Sequence, residues 1–128
     1  MYERILLVDD NPIQAVTRKA ILERVGLSVQ TFTSARDALL FLQADVEKSI
    51  GLVIVDHIMP ELSGTAFVRQ LREWNPQIPV VVLSGLDEAE AEYQDYNVIF
   101  RPKPIAPDEL QALAVRLLNA PVPPRTTT

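Results

Sequence analysis

Hydrophobic residues fall along this chain in two kinds of run. Ile5-Leu-Leu-Val8, Gly51-Leu-Val-Ile-Val-Asp56 and Ile78–Leu83 are short and almost wholly apolar. Such runs, rich in β-branched residues, read as strands buried on both faces, as in a parallel sheet. Val29-Gln-Thr-Phe-Thr33 alternates instead, as a half-exposed or edge strand should, and Val98-Ile-Phe100 supplies a short fifth strand. Helical patterns lie between them. Asn11-Pro12 is a cap followed by proline at the first helical position, and Gly26 is the stop for a helix to about Val25. In that helix Ile13, Val16 and Ala20 share a face, while Ile21, Leu22 and Val25 wrap around it. Ser34-Ala-Arg-Asp37 matches a capping box, and Ala35, Ala38, Leu39, Leu42 and Val46 then form one stripe. Asp45–Ser49 reads as a polar loop. A third helix runs from Ser63-Gly64 to Trp74 with Phe67, Leu71 and Trp74 on one face, and Asn75-Pro76 ends it. Leu86–Gln94 is acidic and only weakly periodic. The last helix starts near Pro107-Asp108 and carries Leu110, Leu113, Ala114 and Leu117 on one stripe.

Strands alternating with helices imply a parallel sheet covered on both faces, and right-handed crossovers leave few topologies open. No internal repeat or second domain is visible. Residues 1–120 read as one domain and 121–128 as a Pro/Thr-rich tail or the start of a semi-extended linker.

Composition narrows the chemistry. The 128 residues are 48% hydrophobic, enough for a full core. The absence of cysteine excludes disulfides, thiolate metal sites and a cysteine nucleophile, and suits a reducing, cytoplasmic setting. The first apolar run is too short for a signal peptide or a membrane span. With 17 acidic against 12 scattered basic residues, net charge −5, no surface for direct nucleic-acid binding is expected.

In a parallel sheet all strand C-termini share one rim, which is where ligands bind in open α/β folds. Here those ends carry Asp9-Asp10, Asp56, Ser84 and, just past the fifth strand, Lys103. Pro60 forces a turn soon after Asp56. Carboxylates that close need a cation or a shared proton. Oxygen-only ligands favour Mg2+ over zinc. Lys103 is a point charge suited to a phosphate oxygen, and Ser84 can donate a hydrogen bond to another. Together these groups describe phosphoryl transfer to a carboxylate.

On these residues the chain resembles the receiver domain of two-component response regulators, from Arg4 to about Asn119. The resemblance implies a doubly wound, flavodoxin-like five-stranded parallel sheet of order 2-1-3-4-5 with helices on both faces. It implies that Asp56 is the phosphoacceptor, served by the phosphohistidine of a sensor histidine kinase or a phosphotransfer protein. Asp9, Asp10, Asp56 and the backbone carbonyl of Ile58 would hold Mg2+. Lys103 would contact the phosphoryl group, Ser84 and Phe100 would form the switch, and the Lys103–Pro104 bond would be cis. The face from the fourth helix through the fifth strand to the last helix would then meet an output partner or an output domain, neither of which the sequence names.

The chain departs from the pattern between Ser84 and Lys103. That segment is a few residues short, and Tyr93-Gln-Asp-Tyr-Asn97 stands in place of a small-residue turn, so a short or irregular fourth helix is expected. Pro102 suits an edge strand and restricts Arg101 to extended backbone. Blander roles stay open. Asp9 and Asp10 could cap a helix beside Asn11, Ser84 could serve only a turn, and Lys103 could be solvated. Phe100 and Trp74 fit simple packing, His57 reads as an exposed loop histidine, and Asp87, Glu88, Glu90 and Glu92 as a solvated helix start. Two other functions compete. One is a receiver-fold binding module that phosphorylation does not control. The other is a Mg2+-dependent aspartyl-nucleophile phosphatase, disfavoured because Asp9-Asp10-Asn11 lacks the Asp-x-Asp spacing.

Overall fold

The apolar runs become strands of one sheet because each can be covered from both sides. The computed structural model describes residues 4–44, 49–59 and 62–119. In chain order it has β1 (Arg4–Val8), α1 (Pro12–Glu23), β2 (Val29–Phe32), α2 (Ala35–Ala44), β3 (Ile50–Asp56), α3 (Gly64–Trp74), β4 (Val80–Ser84), a 3-10 helix (Asp87–Tyr93), β5 (Ile99–Pro102) and α4 (Pro107–Asn119). The five strands are parallel in the order β2-β1-β3-β4-β5.

Pleating sends alternate side chains to opposite faces, so each strand feeds two cores. Leu6, Val8, Val53, Val55, Val80 and Val82 pack with α2 and α3 residues, among them Ala38, Leu42, Phe67 and Leu71. Ile5, Leu7, Leu52, Ile54, Val81 and Leu83 pack with Leu22 of α1 and with Leu110, Leu113 and Ala114 of α4. The alternating run Val29–Phe32 forms one edge of the sheet and the strand ending in Pro102 the other, where a missing N–H costs no ladder bond.

The helix starts are capped as their residues allow. Asn11 accepts from the Ile13 and Gln14 amides at 2.9 and 3.1 Å. Ser34 and Ser63 accept from Asp37 and Ala66, each at 3.1 Å. Gly26 takes φ 86° just past α1, a left-handed conformation costly for any residue with a Cβ.

One element differs from the sequence reading and another bears it out. In α1 the inward face is Ala15, Arg18 and Leu22, while Ile13 and Val16 are 77% and 67% exposed. The helix is rotated because Leu22 fills the second core and Arg18 is drawn inward by a buried carboxylate. The fourth helix is short and irregular as expected, a seven-residue 3-10 helix followed by a turn in which Asn97 has φ 55°. Arg72 of α3 holds that turn. It donates to the carbonyls of Tyr96 (2.7 Å), Asn97 (3.0 Å), Asn75 (3.1 Å) and Ile78 (2.8 Å). The expected Val46 contact, the 45–48 part of the loop, the turn at Pro60 and the tail from Ala120 lie outside the described residues.

Candidate functional site

The sheet register brings the rim residues together. β1 and β3 pair through Val8 and Val55, so Asp9 and Asp56 come next, side by side. Both continue the alternation that points Leu7 and Ile54 toward α1 and α4. The two residues are 1% and 4% exposed. With half-buried Asp10 they place a carboxylate oxygen from each of three residues within 4.8 Å of one another. This is a hard, all-oxygen donor set of the kind that suits Mg2+.

Each buried carboxylate has a cation. Lys103 Nζ donates to Asp56 Oδ1 at 2.5 Å. Arg18 Nη1 donates to Asp9 Oδ2 at 2.5 Å, and the Asn11 amide donates to Asp9 Oδ1 at 2.9 Å. Burial nevertheless holds the Asp9 carboxyl above its usual range. The Asn11 amide lowers it, Asp56 raises it further, and the charges of Arg18 and Lys103 offset this only in part. Asp10 makes no hydrogen bond or ion pair among the described residues.

Ser84 ends β4 fully buried. Its hydroxyl accepts from the Leu86 amide at 2.9 Å and lies 3.3 Å from the Leu86 carbonyl, a turn that folds the hydroxyl back onto its own chain. The Lys103 amide donates to the Ser84 carbonyl at 2.8 Å, which ties the lysine-bearing loop to β4. The Lys103–Pro104 bond is cis, as expected. Phe100 is half-buried on β5, and the Ile58 side chain points outward, 60% exposed.

His57 is not the exposed loop residue expected from sequence. It is 8% exposed, its amide donates to Leu83 at 2.9 Å, and its carbonyl accepts from Gly64 at 2.8 Å. Its Nδ1 shares a 2.6 Å hydrogen bond with the Tyr93 hydroxyl. Tyr93 is buried between the His57 ring, edge-on at 5.6 Å, and the Phe100 ring, tilted at 6.0 Å. Burial pushes the Tyr93 hydroxyl up to about 12, helped by the Glu92 and Asp56 carboxylates. Glu92 itself accepts from Thr65 at 2.8 Å. The 3-10 helix is thus held to the residue beside Asp56 by a buried hydrogen bond.

Arg18 and Tyr93 are the site residues that the sequence reading missed. Arg18 had a visible signal, its spacing of three and four from Ala15 and Leu22 on the inward face of α1. Tyr93 had none, since it lies in an acidic stretch without clear periodicity.

A family description, "Response regulator receiver domain", matches residues 5–115. The chain belongs to the response regulator receiver domain family. This receiver is 33% identical over 114 residues to the DNA-binding transcriptional regulator NtrC of Klebsiella pneumoniae, covering 87% of this chain and 24% of NtrC. The chain therefore spans about a quarter of the length of that relative. Among solved structures it resembles a response regulator receiver domain protein from Clostridium thermocellum, with TM-score 0.83 and 28% identity over 91% of this chain and 94% of that one. It also resembles the signal receiver domain of a signal transduction histidine kinase from Syntrophus aciditrophicus, with TM-score 0.81 and 31% identity over 91% of this chain and 89% of that one. The receiver fold and the acidic cluster Asp9, Asp10 and Asp56 thus coincide in this chain. Among the described residues no helix is long and apolar enough to cross a membrane.

Proposed function

We propose that this receiver is a phosphoacceptor of a two-component relay, with Asp56 as the residue that takes the phosphoryl group. The observation that carries the reading is a buried carboxylate at the sheet rim with a lysine ammonium 2.5 Å away and two further carboxylates within 4.8 Å. In the proposed step an Asp56 oxygen attacks the phosphorus of a phosphohistidine. The P–N bond breaks, the imidazole of the donor leaves with its electron pair and takes a proton, and an acyl phosphate remains on Asp56.

Lys103 neutralises Asp56 before transfer and turns to a phosphoryl oxygen afterwards, so its charge is present throughout. Asp9, Asp10, Asp56 and the Ile58 carbonyl are the residues that would hold Mg2+, which supplies further charge neutralisation when bound. Ser84 would exchange its long contact with Leu86 for a phosphoryl oxygen. Phe100 would follow only if Tyr93 gives way, because their rings are in contact. The donor is a sensor histidine kinase or a phosphotransfer protein, and the output is met through the 3-10 helix, β5 and α4.

The test is incubation with Mg2+ and acetyl phosphate followed by intact-mass measurement. One acid-labile phosphoryl adduct is expected on the wild-type chain and none on Asp56→Asn. A wild-type chain without the adduct would overturn the reading.

A further inference from the structure

Among the described residues the arginine on the inward face of α1 has one side-chain partner, Asp9, and that partner is a proposed metal ligand. We propose that Arg18 is a tethered counter-ion that competes with the divalent cation for Asp9 and so sets how much of that cation the acceptor site requires. The proposal rests on the reading of Asp9, Asp10 and Asp56 as the cation's ligands.

Both oxygens of Asp9 are engaged, Oδ1 by the Asn11 amide at 2.9 Å and Oδ2 by Arg18 Nη1 at 2.5 Å. The amide comes from the backbone two residues on, a local turn that need not move. Arg18 reaches in from another element on a flexible side chain. A cation bound at Oδ2 would occupy the place of the guanidinium.

Arg18 is also a poor structural staple. Of its five N–H donors, Nη1 alone has a protein partner among the described residues. Arg72 shows the contrast, since its guanidinium donates to four backbone carbonyls. The Arg18 side chain keeps 12% exposure, so it has a route to water.

Charge balance points the same way. Three carboxylates with Arg18 and Lys103 beside them carry one net negative charge. A divalent cation added to that set would leave the site positive. Exchange for Arg18, with Lys103 kept, leaves it neutral. The site therefore favours replacement of one cation by the other over accumulation of both.

The test uses the full chain and Mn2+ as the probe, with free ion counted by electron paramagnetic resonance, and Mg2+ by calorimetry. Arg18→Met is expected to bind either ion about ten- to hundredfold more tightly than wild type, the equivalent of one charge-assisted hydrogen bond no longer displaced. Its urea midpoint should fall below wild type in EDTA, where Asp9 keeps the Asn11 amide but is buried without its counter-ion. That gap should close at saturating Mg2+, because Asp9 is then paired with the cation in both chains and the wild-type Arg18 is disengaged. Arg18→Lys, which keeps the charge on a shorter arm, should bind with intermediate affinity and serves if the methionine variant does not fold. Unchanged or weaker binding in the variants, or a stability gap that persists in Mg2+, would show that Arg18 holds Asp9 in place and would overturn the proposal. If the wild-type chain binds neither ion, the metal-ligand reading itself fails. If wild type binds and Asp10→Asn does not, that reading stands whatever Arg18 does.

Discussion

Replacing Gly64 with alanine tests whether the acceptor residue is set by backbone packing. Gly64 is the first residue of α3 and has ordinary negative-φ backbone, so the reason for glycine is space. A Cβ there would lie 2.6 Å from the Tyr93 hydroxyl, 2.8 Å from His57 Cα and 2.9 Å from the Asp56 carbonyl oxygen. Ordinary contact begins near 3.4 Å, so all three neighbours must retreat by about half an ångström or more. Two of them are main-chain atoms at the end of a central strand and cannot rotate away. Overpacking costs about 1–3 kcal/mol, with the upper half expected here. Alanine in place of glycine in a helix returns at most about 1 kcal/mol. The net expectation is a loss of about 2 kcal/mol, or about 1 M in the urea midpoint at the slope usual for small domains. Gly85→Ala is the control. Its Cβ would meet nothing within 4 Å, so a change within about 0.5 kcal/mol is expected. Urea unfolding of both variants, followed by fluorescence and circular dichroism, decides the matter. Equal midpoints for Gly64→Ala and wild type would refute the reasoning, since the strand end would then be soft enough to move at no cost.

Three further outcomes follow from other contacts. Tyr93→Phe keeps the apolar area but leaves His57 Nδ1 without its 2.6 Å partner, and should cost about 1–3 kcal/mol at neutral pH by urea titration. Because burial raises the Tyr93 hydroxyl from 10.0 to about 12, the unfolded chain ionises first, and this contribution is present below pH 10 and lost as pH climbs to about 12. The gap between wild type and Tyr93→Phe should narrow over that window, and a constant gap would contradict it. Asp9 works with the opposite consequence at neutral pH. Its carboxyl is raised above 3.8 in the fold, so stability linked to it is present below 3.8 and lost as pH rises through the raised value. Asp9→Asn in EDTA should therefore unfold at higher urea than wild type at neutral pH and converge with it in acid, and a less stable variant at neutral pH would mean that the Arg18 pair outweighs burial. Arg72→Lys keeps the charge but cannot fan out to four carbonyls, so a loss of about 2–3 kcal/mol is expected, and one below about 0.5 kcal/mol would show the turn after the 3-10 helix holds itself.

The sheet and its rim were legible in the apolar runs. Ile5–Val8, Leu52–Val55 and Val80–Leu83 are apolar on both pleat faces, and alternation with helical segments makes a parallel sheet with helices on each side the arrangement that buries them. Because parallel strands end at one rim, Asp9, Asp10, Asp56 and Lys103 come together there, and Ser84 ends β4 on the same rim. Caps at Asn11, Ser34 and Ser63 were equally legible, since each depends on neighbours two or three residues away. Tertiary structure alone decided how α1 is turned. A hydrophobic stripe at Ile13 and Val16 has a sound local pattern, yet Arg18 faces inward because a carboxylate on another element is buried there and needs a counter-charge. It also decided that His57 is buried, that Tyr93 crosses over to bond it, and that Gly64 must lack a side chain. Those three facts concern groups brought together from β3, α3 and the 3-10 helix, and local periodicity carries no information about a contact made across thirty residues. Whether Asp56 carries a phosphoryl group is chemistry the rim permits, and the way its charge is balanced beforehand, by Lys103 and by Arg18, was visible only in the fold.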